Sequence, residues 1–232
     1  MNLALIVAAG KGTRMGNERG KQFLPLFGKP VLAHTLIAFQ EAPSIDAVII
    51  VAAEENLAQC RLATVEYGIT KAIGIVAGGK ERQNSVYNGL RTVKELGGID
   101  MIAVHDGARA LIQPSLIDAV MAGVEGSDGA IAGIPAKDTI KLVEDAYITQ
   151  TLDRGKIWQV QTPQAFYFDT LRHAHEQAKT EGFYGTDDSV LVERIGGRIK
   201  VILGSEENIK ITTPVDLIIA EAILKARVQG LG

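Results

Sequence analysis

The chain has 232 residues, a single cysteine and a formal net charge of −3. That length suits one large α/β domain with a substantial core, and the acidic balance argues against non-specific binding to nucleic acid or to a membrane surface. Cys60 has no partner for an internal disulfide, no apolar run nears the ~18 residues of a membrane span, and the N-terminus lacks a leader's basic flank and cleavage site, so the expected setting is the cytoplasm.

The first predicted strand covers 2–8, an apolar run that empties into Ala8-Ala9-Gly10-Lys11-Gly12-Thr13-Arg14-Met15-Gly16. An unbroken apolar run reads as a buried parallel strand. Ligands of open α/β sheets sit just beyond the carboxyl ends of such strands. The glycines let backbone amides approach phosphate oxygens. Lys11, Arg14, Arg19 and Lys21 stand against one acid, Glu18, so the loop suits a polyphosphate. It is not a dinucleotide fingerprint, because Met15 occupies the third glycine position and no acid stands at the ribose position. It is not a Walker loop either: only three residues separate Gly16 from Gly20 where four are required, and Glu81 follows the correctly spaced Gly74…Gly79-Lys80 where a hydroxyl is required.

Strands are predicted next at 47–53, 71–76, 100–105 and 129–134, alternating with helices at 31–41, 54–66, 81–96 and 114–126. The second helix is expected to bury Leu57, Cys60 and Val65, and the third a stripe of Val86, Leu90, Val93 and Leu96. Pro114 suits the first turn of the fourth. This alternation implies right-handed crossovers and a mostly parallel sheet. The rhythm breaks at 136–162, where 139–143 and 147–152 alternate polar with apolar around Glu144-Asp145-Ala146. That is the pattern of a hairpin with one wet face. An isolated hairpin is marginally stable, so a projecting arm of this kind is expected to grip a partner. Helices at 169–181 and near 187–195, a strand at 199–203 and a helix from Pro214, capped by Thr213 and Asp216, close the chain.

Four later segments carry polar groups to the expected sheet edge. Gly78-Gly79-Lys80-Glu81-Arg82-Gln83-Asn84-Ser85 joins a strand to a helix, so its amides and Ser85 can meet a ligand. His105-Asp106-Gly107-Ala108-Arg109 ends a strand, with Asp106 placed for a ribose hydroxyl or a magnesium ion. Ala136 to Lys141, Thr151-Leu152-Asp153-Arg154, Trp158 and Gln161 to Phe166 form the arm and its base; Thr186-Asp187-Asp188 and Asn208-Ile209-Lys210-Ile211-Thr212-Thr213-Pro214 follow. Some of these residues also have a less favoured, bland reading: Arg154 as a surface ion pair with Asp153, Lys210 on a solvated strand face, and Asp106 as a turn cap. Trp158 reads as packing in the arm or an interface. None of His34, His105, His173 and His175 has the spacing of a catalytic or metal-binding partner.

The opening loop with Lys21-Gln22-Phe23-Leu24 resembles the nucleoside-triphosphate sugar-phosphate nucleotidyltransferases. With the later segments, in order over nearly the whole chain, the pattern is similar to that of the 2-C-methyl-D-erythritol 4-phosphate cytidylyltransferases. The resemblance implies a Rossmann-like α/β fold, with 1–232 as a single domain that includes a dimerisation β-arm at about 136–162. It implies that a methylerythritol phosphate oxygen attacks the α-phosphorus of CTP in line and expels pyrophosphate, giving 4-diphosphocytidyl-2-C-methyl-D-erythritol. Arg14 and Lys21 match the pair that steadies the transferring phosphoryl group, and Arg154 and Lys210 the pair that positions the polyol phosphate. Ala8, Ala9, Gly10, Gly12, Gly79, Lys80 and Ser85 match nucleotide-binding positions, as do Asp106 and Gly107. Asp106, Arg109, Thr139, Thr162 and Thr186 match positions around the ribose and the sugar phosphate. No protein metal site is implied: Mg2+ would be held mainly by the CTP phosphates. In a homodimer, Arg154 would serve the partner's site.

Three residues depart from the family pattern: Val7 and Ala110 replace prolines, and Lys80 replaces a common aspartate, leaving base contact there to the main chain. A ribitol-5-phosphate cytidylyltransferase shares the loop and much of Asn-Ile-Lys-Ile-Thr-Thr-Pro, but Thr151-Leu152-Asp153-Arg154…Trp158 resembles the methylerythritol enzymes better. A catalytically silent nucleotide-binding protein is disfavoured because all four cations of the expected reaction centre are present.

Overall fold

Leu3-Ala4-Leu5-Ile6 offers no polar side chain to either face, so a strand built from it must be covered on both sides. The computed structural model, which describes residues 1–10 and 20–230, places it as β1 (Asn2–Ala8) in the middle of a seven-stranded sheet. A short hairpin, β2 (Pro25–Leu26) and β3 (Lys29–Pro30), leads to α1 (Val31–Glu41), β4 (Ala47–Ala52), α2 (Leu57–Glu66), β5 (Ala72–Ala77) and α3 (Arg82–Leu96). Then come β6 (Met101–Asp106), α4 (Pro114–Gly123), β7 (Gly129–Pro135), the hairpin β8 (Lys141–Glu144) and β9 (Tyr147–Thr151), and β10 (Trp158–Tyr167). The chain ends with α5 (Phe168–Glu181), α6 (Ser189–Arg194), β11 (Ile199–Leu203) and α7 (Pro214–Val228).

The sheet runs β11-β7-β10-β6-β1-β4-β5, and all its pairings are parallel except those of β10. The period of two along β1 divides the core into layers. Ala4, Ile6 and Ala8 pack with Leu32, Leu36 and Phe39 of α1 and Ile117 of α4; Leu3 and Leu5 face Val86 and Leu90 of α3 and Leu171 of α5. A third cluster joins Leu26, Ala110 and Ile211 to Ala220 of α7, which fastens the loop before α7 over the sheet's edge. Helix α7 starts as its sequence implies, Thr213 and Asp216 forming reciprocal cap hydrogen bonds behind Pro214.

Three expectations change. Strand β10 is not among the expected strands, its second half being expected as the base of the arm, and its Pro163 runs against the rule for a central strand. Proline is tolerated at irregularities, and the pairing of β10 with β7 shifts register between Val160 and Gln164, around Pro163. Leu96 is exposed, so the buried stripe of α3 stops at Val93. Val65 is exposed as well: it lies five residues from Cys60, about 140° round the helix, and Ala63 takes the buried place. Cys60 itself is buried, which pushes its thiol up to about 12.

The hairpin β8–β9 forms a sheet of its own, and every residue in both strands is exposed. Asp145 and Ala146 between them both take positive φ, as a two-residue turn of the I′ kind requires.

Candidate active site

The carboxyl ends of β1, β5 and β6 open onto one cleft of about 330 Å³, lined by Ala8, Ala9, Gly10, Lys21, Gly79, Lys80, Ser85, Asp106 and Lys210, with Arg82 and Glu81. Nine of the expected site residues therefore meet in space, drawn from five separate stretches of chain. Lys21 reaches the cleft from a single 3-10 turn, Lys21–Phe23, which begins after Gly20 at φ 80°. Arg14 and Gly12 lie outside the described residues.

Close backbone packing explains the glycines on the cleft's wall. A Cβ on Gly78 would stand 2.4 Å from Ala9 Cβ, and one on Gly79 would stand 2.4 Å from Asn84 Cβ. Ser85, buried in the first turns of α3, accepts a hydrogen bond from the Gly79 amide at 3.0 Å and donates to Glu81 O at 3.1 Å. The Gly78 amide is also engaged, by Ala52 O at 2.8 Å. The Glu81 amide is engaged too, by Asn84 Oδ1 at 3.1 Å, so a ligand at this wall meets main-chain groups other than these three amides. Gly107 sits behind the cleft, its amide donating to Val7 O at 2.9 Å, and ties the end of β6 to that of β1.

Asp106 is the electrostatic centre. Its Oδ1 accepts from Arg82 Nε at 3.2 Å, its Oδ2 from Lys210 Nζ at 2.7 Å, and Arg109 Nε stands 3.9 Å from Oδ2. Burial alone would raise its pKa, but Arg82, Lys210 and Arg109 outweigh it and hold the carboxyl far below the usual carboxylate range. Asp188 behaves alike: burial is outweighed by Arg82 and by the hydrogen bond from His175. Three cations thus surround two carboxylates, and Lys21 and Lys80 add to them in the same cleft. Such an excess favours a polyanion.

A second depression of about 280 Å³ shares Arg82, Asp106 and Lys210 with the first and adds Arg109, Thr162, Gln164 and Thr186. Arg109 Nη1 donates to Asn208 O at 2.7 Å, which locks Arg109 to the Lys210 loop. Thr162 has a structural duty: its Oγ1 accepts from the Asp106 amide at 3.0 Å and lies 3.1 Å from His105 Nδ1. Arg109 O is a carbonyl and can only accept, so His105 Nε2 donates to it at 3.4 Å and Nδ1 of the neutral ring accepts from Thr162 Oγ1. Thr139 and Arg154 are exposed at the base of the arm and line neither depression; Arg154 Nη1 donates to Lys137 O at 2.9 Å. Neither is brought to Lys21 and Lys210 of its own chain.

Sequence reasoning passed over Arg82, Gln164 and Asp188 as site residues, and His175 behind them. Arg82 stands at the first position of α3, directly after the glycine turn, which is a usable signal. Nothing in the sequence pairs it with Asp188, 106 residues away.

Burial of His105 has a consequence for stability. It lowers the imidazole pKa from 6.5 to about 3, with Asp106 opposing. The folded value is below the unfolded one, so the unfolded chain takes up the proton first and stability falls as pH drops from about 6.5 toward 3. At pH 5 the loss relative to pH 7 is about 2 kcal/mol, from 1.36 kcal/mol per pH unit. Urea unfolding at both pH values should show this difference in the wild type, and His105→Gln should remove most of it. An unchanged difference in His105→Gln would assign the pH dependence elsewhere.

The family model for IspD, 2-C-methyl-D-erythritol 4-phosphate cytidylyltransferase, matches residues 2–226. A protein of that name from Geotalea uraniireducens is 49% identical over 224 residues, 96% of each chain, and one from Geobacter metallireducens is 46% identical over 97% of each. Among solved structures, the 4-diphosphocytidyl-2C-methyl-D-erythritol synthase of Anaerococcus prevotii superposes with a TM-score of 0.86 at 28% identity, covering 97% of this chain and 96% of its own. The 2-C-methyl-D-erythritol 4-phosphate cytidylyltransferase of Thermus thermophilus gives 0.79 at 28% identity, covering 97% and 100%. With its Rossmann-like sheet, its cation-rich cleft and these likenesses along its whole length, the chain belongs to the 2-C-methyl-D-erythritol 4-phosphate cytidylyltransferase family.

Proposed function

We propose that this chain transfers the cytidylyl group of CTP to 2-C-methyl-D-erythritol 4-phosphate, releasing pyrophosphate, and that residues 1–232 act as one nucleotidyltransferase domain. The observation that carries the assignment of the site is the meeting of Lys21, Arg82, Asp106 and Lys210 at one cleft behind the glycine wall. A phosphate monoester oxygen attacks the α-phosphorus while the bond to pyrophosphate breaks. Both reactants are anions, and negative charge builds on the transferring oxygens. Positioning and fixed positive charge are therefore what the protein must supply, and no protein nucleophile is needed.

Lys21, with Arg14, steadies the transferring phosphoryl group from the nucleotide side, and Gly10 and Gly12 bring backbone to the phosphates. Ala8, Ala9, Gly79 and Lys80 read the base through main-chain groups, with Ser85 bracing the turn. Asp106 retains lone pairs for a ribose hydroxyl beside its ion pairs. Lys210 stands at the junction of the two depressions and meets the incoming phosphate, with Arg109 and Thr186 along the second. Asp106 already carries Arg82 and Lys210 on its two oxygens, which suits its remaining lone pairs to a neutral hydroxyl better than to a metal ion. The cleft thus fits Mg2+ carried in by the triphosphate rather than by a protein cage, and the ion neutralises phosphate charge when bound.

No helix among the described residues is long and apolar enough to cross a membrane; we place the enzyme in the cytoplasm. The arm supports a homodimer: Leu142, Val143, Tyr147 and Ile148 are all exposed on a hairpin with no cover of its own.

Pyrophosphate release with CTP and methylerythritol phosphate tests the reading. Ribitol 5-phosphate as acceptor separates the nearest rival, and no release with any polyol phosphate would favour a silent nucleotide-binding protein. The narrow wall formed by Ala9 and Gly78 should also make CTP strongly preferred over ATP and GTP; comparable turnover with ATP would overturn the assigned base pocket.

A further inference from the structure

Behind Asp106, the half-buried Arg82 leads to two buried groups, Asp188 and His175, to which the proposed chemistry gives no role. Arg82 donates Nε to Asp106 Oδ1 at 3.2 Å and Nη1 to Asp188 Oδ2 at 2.7 Å. Asp188, buried just ahead of α6, holds His175 Nε2 of α5 at 3.0 Å on its other oxygen. An ionised carboxylate only accepts, so Nε2 carries the proton between them. Nδ1 of the same ring is buried without a partner among the described residues, so nothing on that side competes for the ring's orientation.

An arginine side chain is long and loses much rotamer freedom when held in one place. Two carboxylates on opposite sides of the guanidinium hold Arg82 in the wall common to both depressions. Were Asp188 absent, the whole charge of Arg82 would fall on Asp106, in competition with Lys210 for the same carboxylate. A neutral Asp188, or one turned away, would have the same effect, and His175 prevents the turn.

We propose that Asp188 and His175 are positioning residues for the reaction, acting through Arg82 to keep Asp106 Oδ2 engaged by Lys210 at the junction of the two substrate subsites. This rests on the reading of the cleft given above. The clamp ties Lys210's placement to a buried pair whose own side chains line neither depression. Tolerances near 0.5 Å govern such placement.

Steady-state kinetics on Asp188→Asn, His175→Leu and His175→Gln test it, together with the ¹⁵N–Hε resonance of Arg82, assigned by its loss in Arg82→Lys. Asp188→Asn should lower kcat/KM for methylerythritol phosphate by roughly tenfold or more, the scale of a lost charged hydrogen bond, with the KM for CTP within about twofold. His175→Leu should do the same, and His175→Gln should recover most of the loss, because a glutamine amide can donate to Asp188 from a similar position. The Arg82 Hε resonance should be protected from solvent exchange in the wild type and lose protection in Asp188→Asn and His175→Leu. Folded Asp188→Asn and His175→Leu proteins with unchanged kcat/KM for both substrates would overturn the proposal, as would a rise in the KM for CTP as large as the loss in kcat/KM for the polyol phosphate. If Asp188→Asn does not fold, the His175 pair decides. The exchange measurement needs no turnover, so a clamp that holds in a protein inactive toward these substrates would reject the substrate reading and leave the clamp's effect on Arg82 standing.

Discussion

Lys21→Ala is expected to lower turnover by about 10²–10³-fold while CTP affinity changes by only a few-fold. The ground-state triphosphate already carries its charge on the β- and γ-phosphates, with a divalent ion to offset it. The charge that appears during transfer lies on the oxygens around the α-phosphorus. Lys21 projects into the cleft from a short turn anchored by Phe23 in the core beneath α1, so its stem starts from a fixed point. A donor fixed in advance at a place where charge develops contributes in the transition state rather than in binding. Single-turnover rates and CTP titration on the variant separate the two. Turnover within a few-fold of wild type would mean that Lys21 is wrongly assigned; an equal loss in CTP affinity would make it a binding residue.

Loss of Arg154 should act on the other substrate. Arg154→Ala is expected to lower kcat/KM for methylerythritol phosphate by about 10–100-fold, the range for a charge-assisted hydrogen bond to phosphate, with CTP binding near normal. The reason is topological. Arg154 is exposed at the foot of the arm and lines neither depression of its own chain, yet the arm presents an uncovered apolar surface suited to a second copy around a two-fold axis. Its guanidinium would then enter the neighbour's second depression. Mixing Arg154→Ala with Lys21→Ala subunits gives the decisive measurement. Heterodimers would hold one intact site, with Lys21 from one chain and Arg154 from the other, and activity should return. No recovery after verified subunit exchange would place Arg154 in its own subunit's site or outside the chemistry.

Much of this molecule is local and therefore legible along the chain. Buried strands such as β1 and β4 are continuous apolar runs, and α7 carries its own cap, so their type and place follow from neighbouring residues alone. The glycine wall is equally local: Gly78 and Gly79 precede a helix start, and the backbone must pass close to whatever binds there. Strand β10 shows where such reading stops. Its Pro163 breaks the local rule for a central strand, and only pairing with β6 and β7 on both sides supplies the context in which an irregularity is tolerated. The same holds for the site's charges. Arg82, Asp106, Asp188 and Lys210 each look like an ordinary surface or turn residue in its own segment. They become a network because parallel crossovers bring the ends of β5 and β6, the α6 start and the loop before α7 to one edge of the sheet. Ion pairs at hydrogen-bond range depend on positions in space, and residues a hundred apart acquire those positions when the sheet closes its order, not before.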